Sequence, residues 1–101
     1  MSKTAVLAKL PIKEGEKDTF LTAFAAMQAQ VEQEPGTEIY ILNWDQKQPN
    51  VAYIYELYCD GDALASHGAS DAMKALMGAL GGVLDGAPEL IMLDPHSGKG
   101  L

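Results

Sequence analysis

The feature that most constrains the fold is a pair of β-rich runs that lack a polar face. Residues 37–44 (TEIYILNW) and 51–58 (VAYIYELY) flank a polar turn, DQKQPN, and this pattern predicts an antiparallel hairpin. In the second run both alternating sets of side chains are mainly apolar or aromatic: Tyr53, Tyr55 and Leu57 on one face, and Ile54, Glu56 and Tyr58 on the other. A sheet that contains this hairpin must therefore be covered on both faces.

A strand and a long helix are predicted before the hairpin. Residues 4–10 (TAVLAKL) are small and branched, which is typical of a strand. Residues 14–33 predict an amphipathic helix with acidic side chains at its start, where the helix dipole favours negative charge. Its apolar residues recur at helical spacing, at Phe20, Phe24, Met27 and Val31. The turn Glu34-Pro35-Gly36 ends it, because proline disfavours helical geometry in the residue before it.

Two further helices and a last strand are predicted after the hairpin. The first helix spans residues 60–67 and begins with a capping aspartate, Asp60 or Asp62. Ser70 caps the next helix, and the final strand is Glu89–Leu93 (ELIML).

The order strand, helix, strand, strand, helices, strand predicts an α+β fold of the ferredoxin-like βαββαβ type with an antiparallel sheet. We expect a single domain over residues 1–101, with a core at 4–93 and a loose tail at 94–101. Helices that connect the strands of this plan lie on one face of the sheet. The sequence therefore predicts a twofold homodimer in which a second copy covers the other face.

Charge and cysteine content limit the partners of the chain. Lys and Arg total 7 against 14 Asp and Glu, so the net charge is −7 and no basic face is available for nucleic acid. Cys59 is the one cysteine and has no second thiol for a disulfide or a CxxC pair, which favours a cytoplasmic location. The longest nearly apolar stretch, residues 75–84, holds three glycines and is too short to span a membrane. We expect no membrane anchor.

The candidate chemistry centres on Glu56 and His67, in the run YELYCDGDALASH. An unpaired buried carboxylate is costly, so Glu56 must lie at the sheet surface or have a partner. A histidine beside a carboxylate can move protons near neutral pH. The alternative is a structural pair that clamps the helix to the sheet.

Five of the seven aromatic residues lie in the hairpin, where Tyr40, Trp44 and Tyr58 together with Ile54 could line a pocket for a flat aromatic ligand. Strand propensity and a dimer interface explain the same residues equally well. The methionines are expected as core fillers: Met73, Met77 and Met92. Asp94 and His96 do not make a metal site, and no phosphate loop, dinucleotide fingerprint or Cys/His cluster is present. A cofactor-free enzyme or a binding module remains.

Several of these residues together resemble the antibiotic biosynthesis monooxygenase (ABM) domain family, over about residues 4–93. The resemblance is carried by Glu34-Pro35-Gly36, Tyr40, Tyr55-x-x-Tyr58, Asp60, Ala63-Leu64-x-x-His67 and Ser70. It implies a dimeric α+β barrel. Haem-degrading members carry Asn, Trp and a haem-ligating His where this chain has Ala8, His67 and Met77, so haem degradation is disfavoured. We expect neither a metal nor another cofactor.

The leading hypothesis is a cofactor-independent monooxygenase that oxidises a quinol or polycyclic phenol with dioxygen. His67 would be the base, Glu56 its orienting partner and Tyr58 a third catalytic residue, with Tyr40, Trp44 and Ile54 in contact with the substrate. One alternative is an isomerase of a phosphorylated hydroxy-ketone, although only Lys74 and Lys99 follow Asn50 to bind a phosphate. Another is a non-catalytic dimeric module that binds a small ligand.

Overall fold

The computed structural model describes residues 2–101 as one antiparallel sheet with helices against one of its faces. Residue 1, with which the predicted domain begins, lies outside the described residues. The elements are β1 (Thr4–Pro11), α1 (Lys17–Val31), β2 (Thr37–Trp44), β3 (Val51–Tyr58), α2 (Gly61–Gly68), α3 (Asp71–Leu80) and β4 (Glu89–Leu93). The sheet order is β2-β3-β1-β4 and every pairing is antiparallel. This confirms the predicted ferredoxin-like βαββαβ arrangement.

Helix α1 is shorter at both ends than the predicted span of residues 14–33. Gly15 has a φ of +84°, which turns the chain before the helix, and the N–H of Glu16 donates to the carbonyl of Lys13 at 3.0 Å. After Val31 the chain tightens, with the N–H of Glu34 donating to the Val31 carbonyl at 3.1 Å. This turn leads directly into Pro35 and sets the position of the Glu34 side chain.

The core lies between α1, α3 and one face of the sheet. Phe20, Phe24 and Met27 of α1 are fully buried, as their helical spacing predicts. They pack with Ala8 and Leu10 of β1 and with buried residues of the other elements: Ala52 and Ile54 of β3, and Leu76 and Leu80 of α3. The centre of the hairpin is therefore held firmly on the helix-covered face.

Side-chain caps fix the two helices that follow the hairpin. Asp60 is the cap of α2, because its Oδ1 accepts from the backbone N–H of Ala63 at 2.8 Å. Ser70 caps α3 as predicted, accepting from the N–H of Met73 at 3.1 Å. The Ser70 hydroxyl also donates to the carbonyl of His67 at 2.8 Å, which links the end of α2 to the start of α3.

The other face of the sheet carries exposed apolar side chains and no helix. Ile41 is 54% exposed, and Ile91 and Leu93 of β4 are also exposed. The C-terminal tail, predicted to be loose, borders a pocket of about 260 Å³ against Ile39, Tyr55 and Leu57 on this face. The tail therefore covers part of the face, and most of β4 stays open to solvent.

Candidate functional site

A cavity lies between the sheet and helices α2 and α3. It has a volume of about 460 Å³ and opens toward β4. We call it the inner cavity; it is bounded by Val6, Glu56, Leu64, His67, Gly68, Met73, Met77, Leu90 and Met92. A side pocket of about 130 Å³ adjoins it and shares Glu56, Met73, Met77 and Leu90. The lining is mainly apolar with two polar groups, which is typical of a small-ligand site.

His67 presents one ring nitrogen to a carboxylate and leaves the other unpaired. The residue is only 2% exposed, and its Nδ1 lies 2.9 Å from Oε1 of Glu34. A carboxylate only accepts hydrogen bonds, so Nδ1 carries the proton and donates it. Nε2 is buried and has no hydrogen-bond partner among residues 2–101. The imidazole is therefore held in the tautomer whose free lone pair can take up a proton.

Glu34, and not Glu56, is the orienting partner of His67, which corrects the sequence prediction. The physical reason is a close approach between the 34–36 turn and α2: a Cβ built on Gly36 would lie 2.6 Å from the Cβ of Ala63. Only glycine permits this approach, which brings the Glu34 carboxylate within hydrogen-bond distance of Nδ1 of His67. From the sequence, Glu34 is predicted only as part of a helix stop, and its place in the Glu-Pro-Gly motif is the one signal of a further role.

Glu34 is held in its charged form by its hydrogen bonds. Burial raises the pKa of this carboxyl, but donors from Gln30, Thr37 and His67 outweigh burial, so the pKa of Glu34 lies below its usual 4.5. The Gln30 amide donates to Oε2 at 2.9 Å and the Thr37 hydroxyl donates to Oε1 at 2.7 Å. A pocket of about 310 Å³ lies on this side of His67, and its residues include Gln30, Gln33, Glu34, Thr37 and Ser66. We call it the outer pocket.

Glu56 has the opposite environment. Its Oε1 accepts from the Tyr58 hydroxyl at 2.5 Å, while burial raises the pKa of Glu56 above its usual value; the Tyr58 bond and the charge of His67 only partly oppose this. Burial and the neighbouring Glu56 likewise raise the pKa of the Tyr58 phenol well above its usual 10. Tyr58 therefore stays protonated and acts as a donor to Glu56.

The structure brings most of the predicted site residues together. Tyr40 and Ile54 line the side pocket, and the Tyr40 and Tyr58 rings lie 5.2 and 5.4 Å from the His67 ring. Tyr58 lies behind Glu56 and does not line the inner cavity or the side pocket.

Trp44 lies elsewhere. It pairs with Ala52, whereas Tyr40 pairs with Glu56, so Trp44 is about 13 Å further along β2. Its ring packs against Phe20 at 5.9 Å and beneath the Lys17 ammonium at 4.2 Å. The indole belongs to the α1 interface and does not border the inner cavity or the side pocket.

Methionines and β4 supply the part of the site that the sequence analysis did not find. Met73, Met77 and Met92 border the inner cavity, and Met77 and Met92 are each 57% exposed, so these two are not core fillers. Helical spacing cannot distinguish a methionine that fills a core from one that lines a cavity. The one signal was β4, whose run ELIML is apolar on both faces.

Two structural tests bear on metals and membranes. Within residues 2–101, no group of three or more His, Cys, Asp or Glu side chains is arranged to hold a metal ion. None of the helices in the described part of the chain has both the length and the apolar character needed to cross a membrane.

Comparisons with known proteins agree on one family. The family model described as antibiotic biosynthesis monooxygenase (ABM) matches residues 4–79. No curated protein matches the chain significantly. A solved structure of a candidate antibiotic biosynthesis monooxygenase from Caulobacter crescentus is 32% identical, with a TM-score of 0.90 over 95% of this chain and 92% of that chain.

Two more distant structures share the fold. A protein from Mycobacterium tuberculosis is 20% identical, with a TM-score of 0.90 over 98% of this chain and 100% of that chain. A conserved protein from Methanosarcina mazei is 22% identical, with a TM-score of 0.89 over 95% of each chain.

Proposed function

The chain belongs to the antibiotic biosynthesis monooxygenase family, and on that premise we propose that it oxidises a quinol or polycyclic phenol with dioxygen, without a cofactor. The observation that carries the proposal is the buried, unpaired Nε2 of His67, a residue that lines the inner cavity and whose Nδ1 is held by Glu34. A base beside an apolar cavity is what the deprotonation of a bound phenol requires.

The proposed reaction begins with transfer of a substrate hydroxyl proton to Nε2 of His67. The resulting phenolate is electron-rich enough to give an electron to dioxygen, and the two radicals combine to form a bond between a ring carbon and oxygen. The O–O bond then breaks, one oxygen remains on the ring as a hydroxyl group and the other leaves as water. The quinol ends as a hydroxyquinone, so four electrons leave the substrate and reduce both oxygen atoms.

Most of the residues around the inner cavity have a role in this scheme. Glu34 keeps Nδ1 protonated and stabilises the positive imidazolium that forms. The Tyr40 ring packs against the His67 ring and restricts its orientation. Met73, Met77 and Ile54 supply adaptable apolar contacts with a flat ring in the inner cavity and side pocket. Tyr58 does not line the cavity; its hydroxyl donates a hydrogen bond to Glu56, which does.

We extend the proposal to assembly and location. The exposed apolar side chains on the helix-free face support a twofold homodimer, and the single cysteine supports a cytoplasmic location.

The test is dioxygen uptake by purified protein with 1,4-naphthohydroquinone, with the metal chelator EDTA present. We expect wild type to consume oxygen and to form a hydroxynaphthoquinone that carries one atom of ¹⁸O from ¹⁸O₂. His67→Ala should lose roughly a hundredfold or more in rate, the usual range for removal of a general base. Ser66→Ala, which changes the outer pocket without touching Nδ1, is the matched control and should keep its rate. If folded His67→Ala takes up oxygen at the wild-type rate, then His67 is a structural clamp and not the base.

A further inference from the structure

Glu56 is the feature that the proposed reaction leaves unexplained. The sequence assigned it to hold His67, but Glu34 holds His67 instead. Glu56 is buried at the junction of the inner cavity and the side pocket, and it lines both. The Tyr58 hydroxyl donates to Oε1 of Glu56. No group among residues 2–101 forms a hydrogen bond with Oε2 of Glu56.

Within the described residues, no lysine or arginine lines the cavities beside Glu56 to balance a charge on it. The neighbouring ionisable groups are Tyr58, Tyr40, His67 and Glu34. Burial raises the pKa of the two phenols, and Glu34 is itself an anion, so only His67 could supply a positive charge. A carboxylate in such a site is costly, whereas a carboxylic acid is not.

The Tyr58 hydrogen bond determines where a proton on Glu56 would lie. With Oε1 accepting from the phenol, a proton bound to Glu56 would be carried by Oε2, whose O–H could donate to a ligand. Burial raises the pKa of Glu56 in agreement with this geometry. A buried carboxylic acid of this kind can donate a hydrogen bond to a substrate oxygen at neutral pH.

We propose that Glu56 works as a neutral carboxylic acid that donates a hydrogen bond to a carbonyl or hydroxyl oxygen of the ligand, so that the cavity selects uncharged quinols and quinones over anionic ones. The inference rests on the proposed function and names its substrate class. His67 accepts from one oxygen of the ligand and Glu56 donates to another. A phosphorylated, sulfonated or carboxylated ligand would bring a negative charge to a site that offers no fixed cation.

Binding of 1,4-naphthoquinone tests the proposal without turnover, because this quinone lacks the hydroxyl proton that the proposed reaction removes. Titrations from about pH 5 to pH 9 would follow wild type and Glu56→Gln, whose amide N–H donates at every pH. Wild-type affinity should fall as pH rises through the pKa of Glu56, by up to about tenfold per pH unit. Glu56→Gln has no ionisable group at residue 56 and should lack that fall.

Two further measurements keep the outcome decisive. Naphthoquinone-2-sulfonate should bind wild type at least tenfold more weakly than the neutral quinone at pH 6. The carboxyl ¹³C resonance of Glu56 in wild type should titrate above pH 4.5, and this measurement needs no variant to fold. Parallel pH profiles for wild type and Glu56→Gln, equal binding of the sulfonate, or a ¹³C midpoint at or below 4.5 would each overturn the proposal. If the quinone binds as expected but the protein takes up no oxygen, the proposed oxidation is wrong and the proposed role of Glu56 in binding stands.

Discussion

Two glutamates with opposite environments flank His67. Hydrogen bonds lower the pKa of Glu34 despite its burial, whereas burial raises the pKa of Glu56. A pair of carboxyls whose pKa values are pushed apart in this way can divide two tasks, with one staying charged and the other staying protonated. In the proposed reaction, Glu34 positions His67 through its contact with Nδ1, and Glu56 lines the cavity where it can contact the ligand.

Glu34→Gln should destabilise the protein in a pH-dependent way. Because the folded-state pKa of Glu34 is lowered, its contribution is fully present above the unfolded value near 4.5 and is lost as pH falls through the folded value. At pH 7 we expect the free energy of unfolding of the variant to be about 1–2 kcal/mol lower than that of wild type. This gap between the two proteins should close toward pH 3. Urea denaturation at several pH values measures this gap.

Gln33→Ala is the control for this prediction, since Gln33 borders the same outer pocket but forms no hydrogen bond with His67 or Glu34. Its stability difference from wild type should not vary with pH. A gap for Glu34→Gln that stays constant from pH 7 to pH 3 would show that the charge on Glu34 contributes nothing to the folded state.

At the scale of elements, the position of the 34–36 turn against α2 determines whether the site forms. A Cβ at residue 36 would lie 2.6 Å from the Cβ of Ala63 and 3.3 Å from Sγ of Cys59. Gly36→Ala must therefore push α2 away from the turn and weaken the contact between Glu34 and His67. We expect a loss of about 1–3 kcal/mol of stability, measured by thermal or urea unfolding.

Gly61→Ala, at the first residue of α2, is the matched control for Gly36→Ala. A Cβ at residue 61 meets no atom within 4 Å, so this change should be neutral or slightly stabilising. Equal stability of Gly36→Ala and wild type, with the ¹⁵N shifts of His67 unchanged, would contradict the close approach as the origin of the site.

The elements themselves could be predicted because their signals are local. The apolar period of α1, the cap at Ser70 and the two-faced hairpin all depend on neighbouring residues. The contact between Glu34 and His67 could not be predicted, because it joins residues 33 apart through the packing of a turn on a helix. The placement of Trp44 failed for a related reason: strand alternation gives the face of a residue and not its distance along the strand from a pocket.

At the scale of the whole molecule, the helix-free face leads to a prediction about assembly. Ile41, Ile91 and Leu93 form an exposed apolar surface there, and burying it against a second copy would be favourable. Light scattering at micromolar concentration should give about twice 10.8 kDa. Ile41→Lys should shift the mass toward a single chain, while Leu21→Lys, exposed on α1, should leave it unchanged. A single-chain mass for wild type would rule out the dimer at these concentrations.

The most direct test of the central claim is a crystal structure of the protein with 2-naphthol, a phenol that resembles the substrate class but is not a quinol. We predict that the ring lies in the inner cavity against the methionines, with its hydroxyl oxygen about 2.6–3.2 Å from Nε2 of His67. Nδ1 should keep its contact with Glu34. A ring bound instead in the outer pocket or under the C-terminal tail, or an Nε2 bonded to a protein group, would contradict the assignment of His67 as the base.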